Sequence, residues 1–449
     1  MIGRAGRRIG LACGALAALA ALAGCGNGAA MRTPPLTALE AAAPAKGHVL
    51  VWGWNIAAKS LMGLIPGFRK RNPAAHVDVE MTGADMQTRF MLSLAAGVGA
   101  PDVSELQLTD APRYIATRRL ADLSAVAAPY KKDFPASRWQ ACTMDGHVYA
   151  IPWDLGPCAV FYKRGVFAQY GVDPGKIDTW DQYIAAGQQI LRMSGGRTKM
   201  LPLGTDDIIN MFQLLLQQTH GQIFDDQGRI AVDSPQAVAA LDLIRRMRQA
   251  GICSNVASFS QEWMAGFDDD SIATYPDAVW LAGTIEDSSS GYAGRKTRWG
   301  VFRLPAVTPG GPRVANLGGS VLVIPASSKN KAAAWDFVRY ALCTEQGQLA
   351  QYKAFSLYPS FLPALKSHVM DQPDKFFGGQ PVGRLFAMDA DKIWPLNITP
   401  YWGEANSYIQ QDLSAWASDG MPDDARTLRR LAQRLHERLD LPIAPGGVK

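Results

Sequence analysis

Apolar positions change period repeatedly along the chain. His48 to Trp52 is an apolar, β-branched run; Leu61, Leu64, Ile65 and Phe68 then recur at helical spacing; Val77, Val79 and Met81 next alternate with Asp78 and Glu80. A period of two marks a half-buried strand and a period near 3.6 a helix, so this stretch predicts strand, helix, strand. A further helix is expected over residues 86–96 and a third strand over 102–106. Strands alternating with helices imply right-handed βαβ units and a largely parallel sheet. The middle of the chain follows suit: Ser234 is an N-cap followed by Pro235, Val238, Leu241 and Ile244 form an apolar face, and Gly251 fits the C-terminal stop. Later, Leu317-Gly318-Gly319-Ser320 precedes a strand over 321–324, and Ser327 or Ser328 is expected to cap a helix carrying Trp335, Val338 and Leu342 on one face. No internal repeat or heptad run interrupts this α/β pattern.

The first residues follow another logic. Arg4, Arg7 and Arg8 precede an uncharged stretch from Ile9 to Gly24, the layout of a secretory signal over residues 1–24. Its end, Leu22-Ala23-Gly24-Cys25, resembles a bacterial lipobox, which implies cleavage before Cys25, lipidation of that thiol and attachment to a membrane. A signal anchor competes with this, since the uncharged stretch continues to Ala30, but Gly26, Asn27, Gly28 and Ala29 are poor spanning residues. Residues 25–45, rich in Ala and Pro, read as a flexible tether.

Length and composition narrow the classes. At 449 residues, roughly two to three domains are expected. With 48% hydrophobic and 19% charged residues, a disordered chain is excluded. Loss of Arg4, Arg7 and Arg8 takes the net charge from +5 to +2, which is no electrostatic footprint for nucleic acid. Beyond Cys13 and Cys25 the cysteines are Cys142, Cys158, Cys253 and Cys343, none spaced as CxxC. Three pairings and free buried thiols all remain open.

Enzyme motifs fail on inspection. The six His form no HExxH pair, so no metal is expected, and there is no P-loop. Gly97-Val98-Gly99 runs into Ala100-Pro101-Asp102, which lacks the third Gly of a dinucleotide fingerprint, so no cofactor is expected either. Ser328-Lys329-Asn330-Lys331 satisfies SxxK, yet its SDN and KTG partners are missing. Carboxylates near aromatic residues (Glu105, Asp154, Asp206, Asp207, Asp277 and Glu404) keep an exported glycosidase as a second reading.

Taken in order, the segments resemble the maltose-binding-protein class of extracellular solute-binding proteins, which serve carbohydrate ABC importers. The matching stretches include Val49-Leu50-Val51-Trp52-Gly53-Trp54-Asn55, Phe68-Arg69-Lys70-Arg71-Asn72-Pro73, Gly99-Ala100-Pro101-Asp102-Val103, and Asp145-Gly146-His147-Val148-Tyr149-Ala150-Ile151-Pro152-Trp153-Asp154. Phe161-Tyr162-Lys163-Arg164, Thr179-Trp180-Asp181-Gln182, Gly300-Val301-Phe302-Arg303-Leu304-Pro305 and Ala332-Ala333-Ala334-Trp335-Asp336-Phe337 continue the match. The resemblance implies two α/β lobes joined by several crossovers, one over 46–153 plus 306–353 and the other over 154–305 plus 354–449. It further implies a noncatalytic, monomeric receptor that closes on a sugar and delivers it to permease subunits. A receptor for another solute, such as a glycerophosphodiester, is the remaining alternative.

A sugar presents apolar ring faces and a belt of hydroxyls, so its site needs aromatic platforms with carboxylate and amide partners. Trp54 and Asn55 after the first strand, Glu105 ending the third, and Trp153 and Asp154 at the first crossover are the candidates in one half. Asp206 and Asp207 in a loop entering a helix, Asp277 and Trp280 ending a strand, and Gly319 with its close backbone approach add to them. Tyr401 and Trp402, after Pro400, match a late site at which relatives stack on sugar, with the Trp402 indole expected to face the cleft. Gly156 departs from the acidic residue that maltose binders commonly place just past the crossover, which leaves the identity of the sugar open.

Overall fold

The computed structural model describes residues 35–42, 44–83, 85–288, 298–388 and 390–447, apart from the side chains of Asn55, Asp287 and Asp391. The expected signal, Cys25 and residues 26–34 of the expected tether lie outside the described residues; from residue 35 the segment read as a tether is instead packed on the protein, with a short helix at Ala38–Ala42 and Leu36 and Ala45 buried in the core.

Two mixed sheets organise the chain. The first contains β1 (Gly47–Trp54), β2 (Ala75–Thr82), β3 (Val103–Gln107), β4 (Ala150–Pro152) and β8 (Ser320–Val323), in the order β2-β1-β3-β8-β4. β1 is parallel to β2 and to β3, as the βαβ pattern requires, whereas β8 runs antiparallel to both β3 and β4. The second sheet is built on β5 (Cys158–Lys163), β6 (Thr274–Ala278) and β7 (Trp299–Arg303), with β5 antiparallel to both neighbours. It widens through a parallel bridge from Lys199 to Ile272 and a short parallel ladder of Leu201–Pro202 with Cys253–Ser254. Each sheet is therefore mixed rather than mostly parallel. β5 and β8 enter their sheets directly from the other lobe, without a crossover helix to reverse the chain, so they run against their neighbours.

Alternation on the strands sorts the cores. Val49 and Val51 face one layer while Leu50, Trp52 and Trp54 face another; in β5, Ala159 and Phe161 oppose Cys158, Val160 and Tyr162. The layer holding Val49 and Val51 continues without a break to Phe161, Tyr275 and Trp299 under the second sheet. This shared core makes the two lobes neighbours through apolar packing as well as through the backbone.

Helix signals behave as local chemistry demands. Ser234 accepts a bond from the Ala237 N–H, so the helix Pro235–Gln249 begins where its cap is written, and Gly251 follows its end with φ +71°. The helix at Lys331–Leu342 departs from expectation. Asn330 occupies its N-cap position, while the Ser328 hydroxyl donates to Asp102 across 2.6 Å and accepts from the Asn330 N–H. A tertiary carboxylate takes the hydroxyl that sequence assigns to the helix.

Three segments pass between the sheets and bond to one another. The Trp153 N–H donates to the Ser320 carbonyl, the Leu155 N–H to the Tyr358 carbonyl, and the Leu317 N–H to the Gly156 carbonyl, each at 2.9 Å. A β-carbon at Gly156 would overlap the Leu317 carbonyl oxygen. The departure at this position therefore has a local steric cause: the crossovers touch at that residue.

Cys142, Cys158, Cys253 and Cys343 are free thiols, the first two and the last buried. Among the described residues no helix is long and apolar enough to cross a membrane, and no cluster of His, Cys, Asp and Glu could hold a metal ion.

Candidate functional site

The crossovers gather charge where the lobes meet. Asp154, partly exposed, accepts the Ser320 N–H at 2.6 Å, and burial raises its carboxyl to about 6 even though that bond and the Arg138 charge pull it down. Arg138, in the short helix Ala136–Ala141, is buried and reaches the Gly318 carbonyl at 3.2 Å; burial lowers its guanidinium to about 10 against the pull of Asp154. Gly319 has φ +108°, and a β-carbon there would lie 2.8 Å from the Asp154 carbonyl oxygen and 3.3 Å from Arg138 Nη1. Only glycine fits that seat beside Asp154.

Glu105 lies deeper, 1% exposed in β3. Its Oε2 accepts the Trp54 N–H at 3.1 Å, at the N-terminus of the helix Asn55–Arg71, while its buried Oε1 has no bonding partner among the described residues. Burial raises this carboxyl to about 8, outweighing the bonds from Trp54 and Ser320. Trp54 is half-buried against the core on its side of the sheet, and Asn55 opens the helix, its side chain lying outside the described set.

The second lobe supplies carboxylates and rings. The hollow at the end of β6 is lined by Asp207, Asn210, Ser258, Trp263, Asp277 and Leu317 among others. Asp277 accepts the Ala278 N–H at 2.7 Å; burial raises its carboxyl to about 7, helped by the charge of Asp207. Asp207 accepts the Ser258 N–H at 2.7 Å and is itself raised, chiefly by burial. Trp280 follows β6 with its Nε1 3.9 Å from a β-carbon placed on Gly318, and its ring packs against both principal cores. Phe259 stacks on it, centroids 5.8 Å apart and planes at 21°.

Asp154, Gly319, Asp207, Asp277 and Trp280 thus converge on the crossovers, while other candidates lie elsewhere. Trp153 is 1% exposed, its indole N–H donating to Gln351 at 2.7 Å, so it is a core residue. Asp206 is exposed and accepts from the Ser414 hydroxyl at 3.2 Å. Trp402 is 5% exposed and corrects the expectation that it faces the cleft: it opens the buried stripe Trp402, Ala405, Ile409, Leu413 and Trp416 of its helix. Its helical register aims it inward, whereas Tyr401, one position earlier and outside that register, is 42% exposed.

Sequence reading missed Arg138, Gln217, Asn316 and Phe259. Gln217 exchanges two bonds with the Asn316 backbone, at 2.9 and 3.0 Å, and the Asn316 side chain accepts the Gly156 N–H at 2.9 Å. The signal for Gln217 was present, since an amide ending the apolar run Leu214-Leu215-Leu216 must bury its polar end and find partners. Arg138 carries no such local mark.

Two mixed α/β sheets joined by three mutually bonded crossovers, with acids, amides and aromatic rings at the junction, define a two-lobed binding protein. The chain belongs to the bacterial extracellular solute-binding proteins, whose family model matches residues 65–377. It is 26% identical over 323 residues to an arabinooligosaccharide-binding protein of Halalkalibacterium halodurans, covering 70% of this chain and 71% of the relative. A lactose-binding protein of Rhizobium radiobacter is 26% identical over 408 residues, 84% of this chain and 90% of that one. The fold matches the sugar-binding protein MalE from Xanthomonas citri with a TM-score of 0.75 at 22% identity, covering 88% of this chain and 98% of that chain. A binding protein from B. animalis subsp. lactis in complex with β-1,6-galactobiose superposes with a TM-score of 0.72 at 23% identity, over 88% and 97% of the two chains.

Proposed function

We propose that this protein is a lipid-anchored extracytoplasmic receptor that closes its lobes on a mono- or oligosaccharide and hands it to the permease of an ABC importer. The observation that carries the reading is the junction itself: partly exposed Asp154, Asp207 and Asp277 stand with Trp280 beside the crossovers between the lobes. Acids accept from sugar hydroxyls, and an aromatic face meets the C–H side of a sugar ring. The relatives that bind arabinooligosaccharide and lactose support the choice of ligand class. A phosphate-bearing solute would meet the same three carboxylates, against which the buried Arg138 already faces Asp154, and this disfavours it. In this reading the lobes are residues 46–153 plus 306–353 and 154–305 plus 354–449, and the protein works as a monomer.

A thermal-shift screen over mono-, di- and trisaccharides tests the ligand class, because a ligand at 100 times its Kd adds about 2.7 kcal/mol to stability. A flat response to every sugar sinks the proposal, and release of shortened products would make the protein a carbohydrate enzyme instead. For the anchor, Cys25→Ser is expected to leave folding and sugar binding intact while the protein leaves the membrane fraction. A variant that still sediments with washed membranes would refute lipidation at Cys25.

A further inference from the structure

Phe259 is 65% exposed and sits at φ +64°, a left-handed conformation that a bulky residue rarely adopts. Both features oppose folding, one by leaving an apolar ring in water and the other through backbone strain. The loop is nevertheless held in place. The Ser258 N–H is bonded to Asp207, and the ring rests on two indoles: Trp263, 5.1 Å away and itself buried, and Trp280, 5.8 Å away and nearly parallel. Trp280 also packs against the two cores, so Phe259 covers ring surface that the core leaves open. Phe259 is therefore more exposed than either indole it rests on, Trp280 being only partly exposed. Its neighbour Ser258 lines the same hollow as Asp207, Asp277 and Leu317.

Resting on the saccharide-receptor reading, we infer that Phe259 is the ring that meets the C–H face of the bound sugar, with Trp280 and Trp263 as positioning residues that back it. The strained loop is the site's own device for presenting an apolar ring beside acids. Asp207 then acts through the loop, by fixing Ser258. Stacking of this kind depends on a ring but not on a hydroxyl, so tyrosine should substitute for phenylalanine.

The test uses the full chain and the sugar giving the largest thermal shift in the screen above. Phe259→Ala is expected to weaken that sugar at least tenfold by calorimetry, Phe259→Tyr to recover affinity to within about threefold, and Trp280→Phe to lose less than Phe259→Ala. Phe259→Gly, which relieves the left-handed strain, should raise the thermal midpoint of the sugar-free protein while losing affinity. Equal affinity of Phe259→Ala and the parent overturns the inference and leaves the receptor reading standing. A larger loss in Trp280→Phe than in Phe259→Ala assigns the platform to Trp280, and a midpoint lowered by Phe259→Gly assigns the ring to packing; both overturn it. A parent that binds no saccharide overturns both readings at once.

Discussion

In the first lobe β8 enters antiparallel beside β3, and in the second β5 enters antiparallel beside β6, so the two sheets repeat one plan: parallel strands, then a strand arriving from the other lobe. What the lobes bring to their junction differs. The first supplies buried ionisable groups, with Glu105 protonated under a helix N-terminus and the charged Arg138 beside Asp154. The second supplies rings, with Phe259 packed on Trp263 and stacked on Trp280. Buried charge needs a fixed frame, since any opening that strands an ion is costly. Stacked rings tolerate sliding, because dispersion and area burial are weakly directional. The contrast suits a rigid lobe that sets orientation and an adaptable lobe that covers the ligand.

The largest effect expected is at the core position of the ring-rich lobe. Trp402→Ala should cost about 3 to 5 kcal/mol of stability, as for other buried Trp truncations, with little change in sugar affinity of the folded fraction. Denaturant unfolding and calorimetry on the same variant decide this, and a large affinity loss at unchanged stability would return Trp402 to the cleft.

Next comes the buried carboxyl of the first lobe. Glu105 keeps its proton in the folded protein up to about pH 8, while in the unfolded chain it loses it near its ordinary value of 4.5. The stabilisation is complete below that ordinary value and is lost as pH rises towards 8. Asp154 and Asp277, raised to about 6 and about 7, act in the same direction. Glu105→Gln is expected to match the parent near pH 4 and to exceed it by on the order of 2 kcal/mol at pH 8. Denaturant midpoints across that range test it, and parallel curves for the two proteins would show that the carboxyl is solvated.

The smallest effect separates ring from ring. Tyr401→Ala should leave stability within about 0.5 kcal/mol, as at most exposed positions, and reduce sugar affinity by roughly tenfold, or about 1.4 kcal/mol. Unchanged affinity on titration would confine the ring platform to the Phe259 end of the junction.

Much of the fold was legible because its determinants are local. A continuous apolar run marked β1, period-two alternation marked β2, and Ser234-Pro235 wrote its own helix start. The site was legible only in part. Asp154, Asp277, Trp280 and Gly319 stand at strand ends and crossovers, the positions at which chain order alone nominates candidates. Trp153 and Trp402 follow the same rule of position yet point inward, because an aromatic residue at a strand or helix end has two faces of the element to choose from, and packing chooses. Arg138, Asn316 and Phe259 were silent for the opposite reason: their partners, Gly318, Gln217 and Trp280, lie 180, 99 and 21 residues away, and no period connects them.

The sequence by itself determined the α/β class, the two-lobed plan implied by its ordered motifs, and the acid-and-aromatic chemistry, since periodicity, caps and residue type are written residue by residue. Tertiary structure alone decided which carboxyls are buried and raised, which indoles are core, and which single ring is pushed out on a strained loop. Burial and orientation are properties of what packs around a side chain, and those neighbours come from segments that only the closed crossovers bring together.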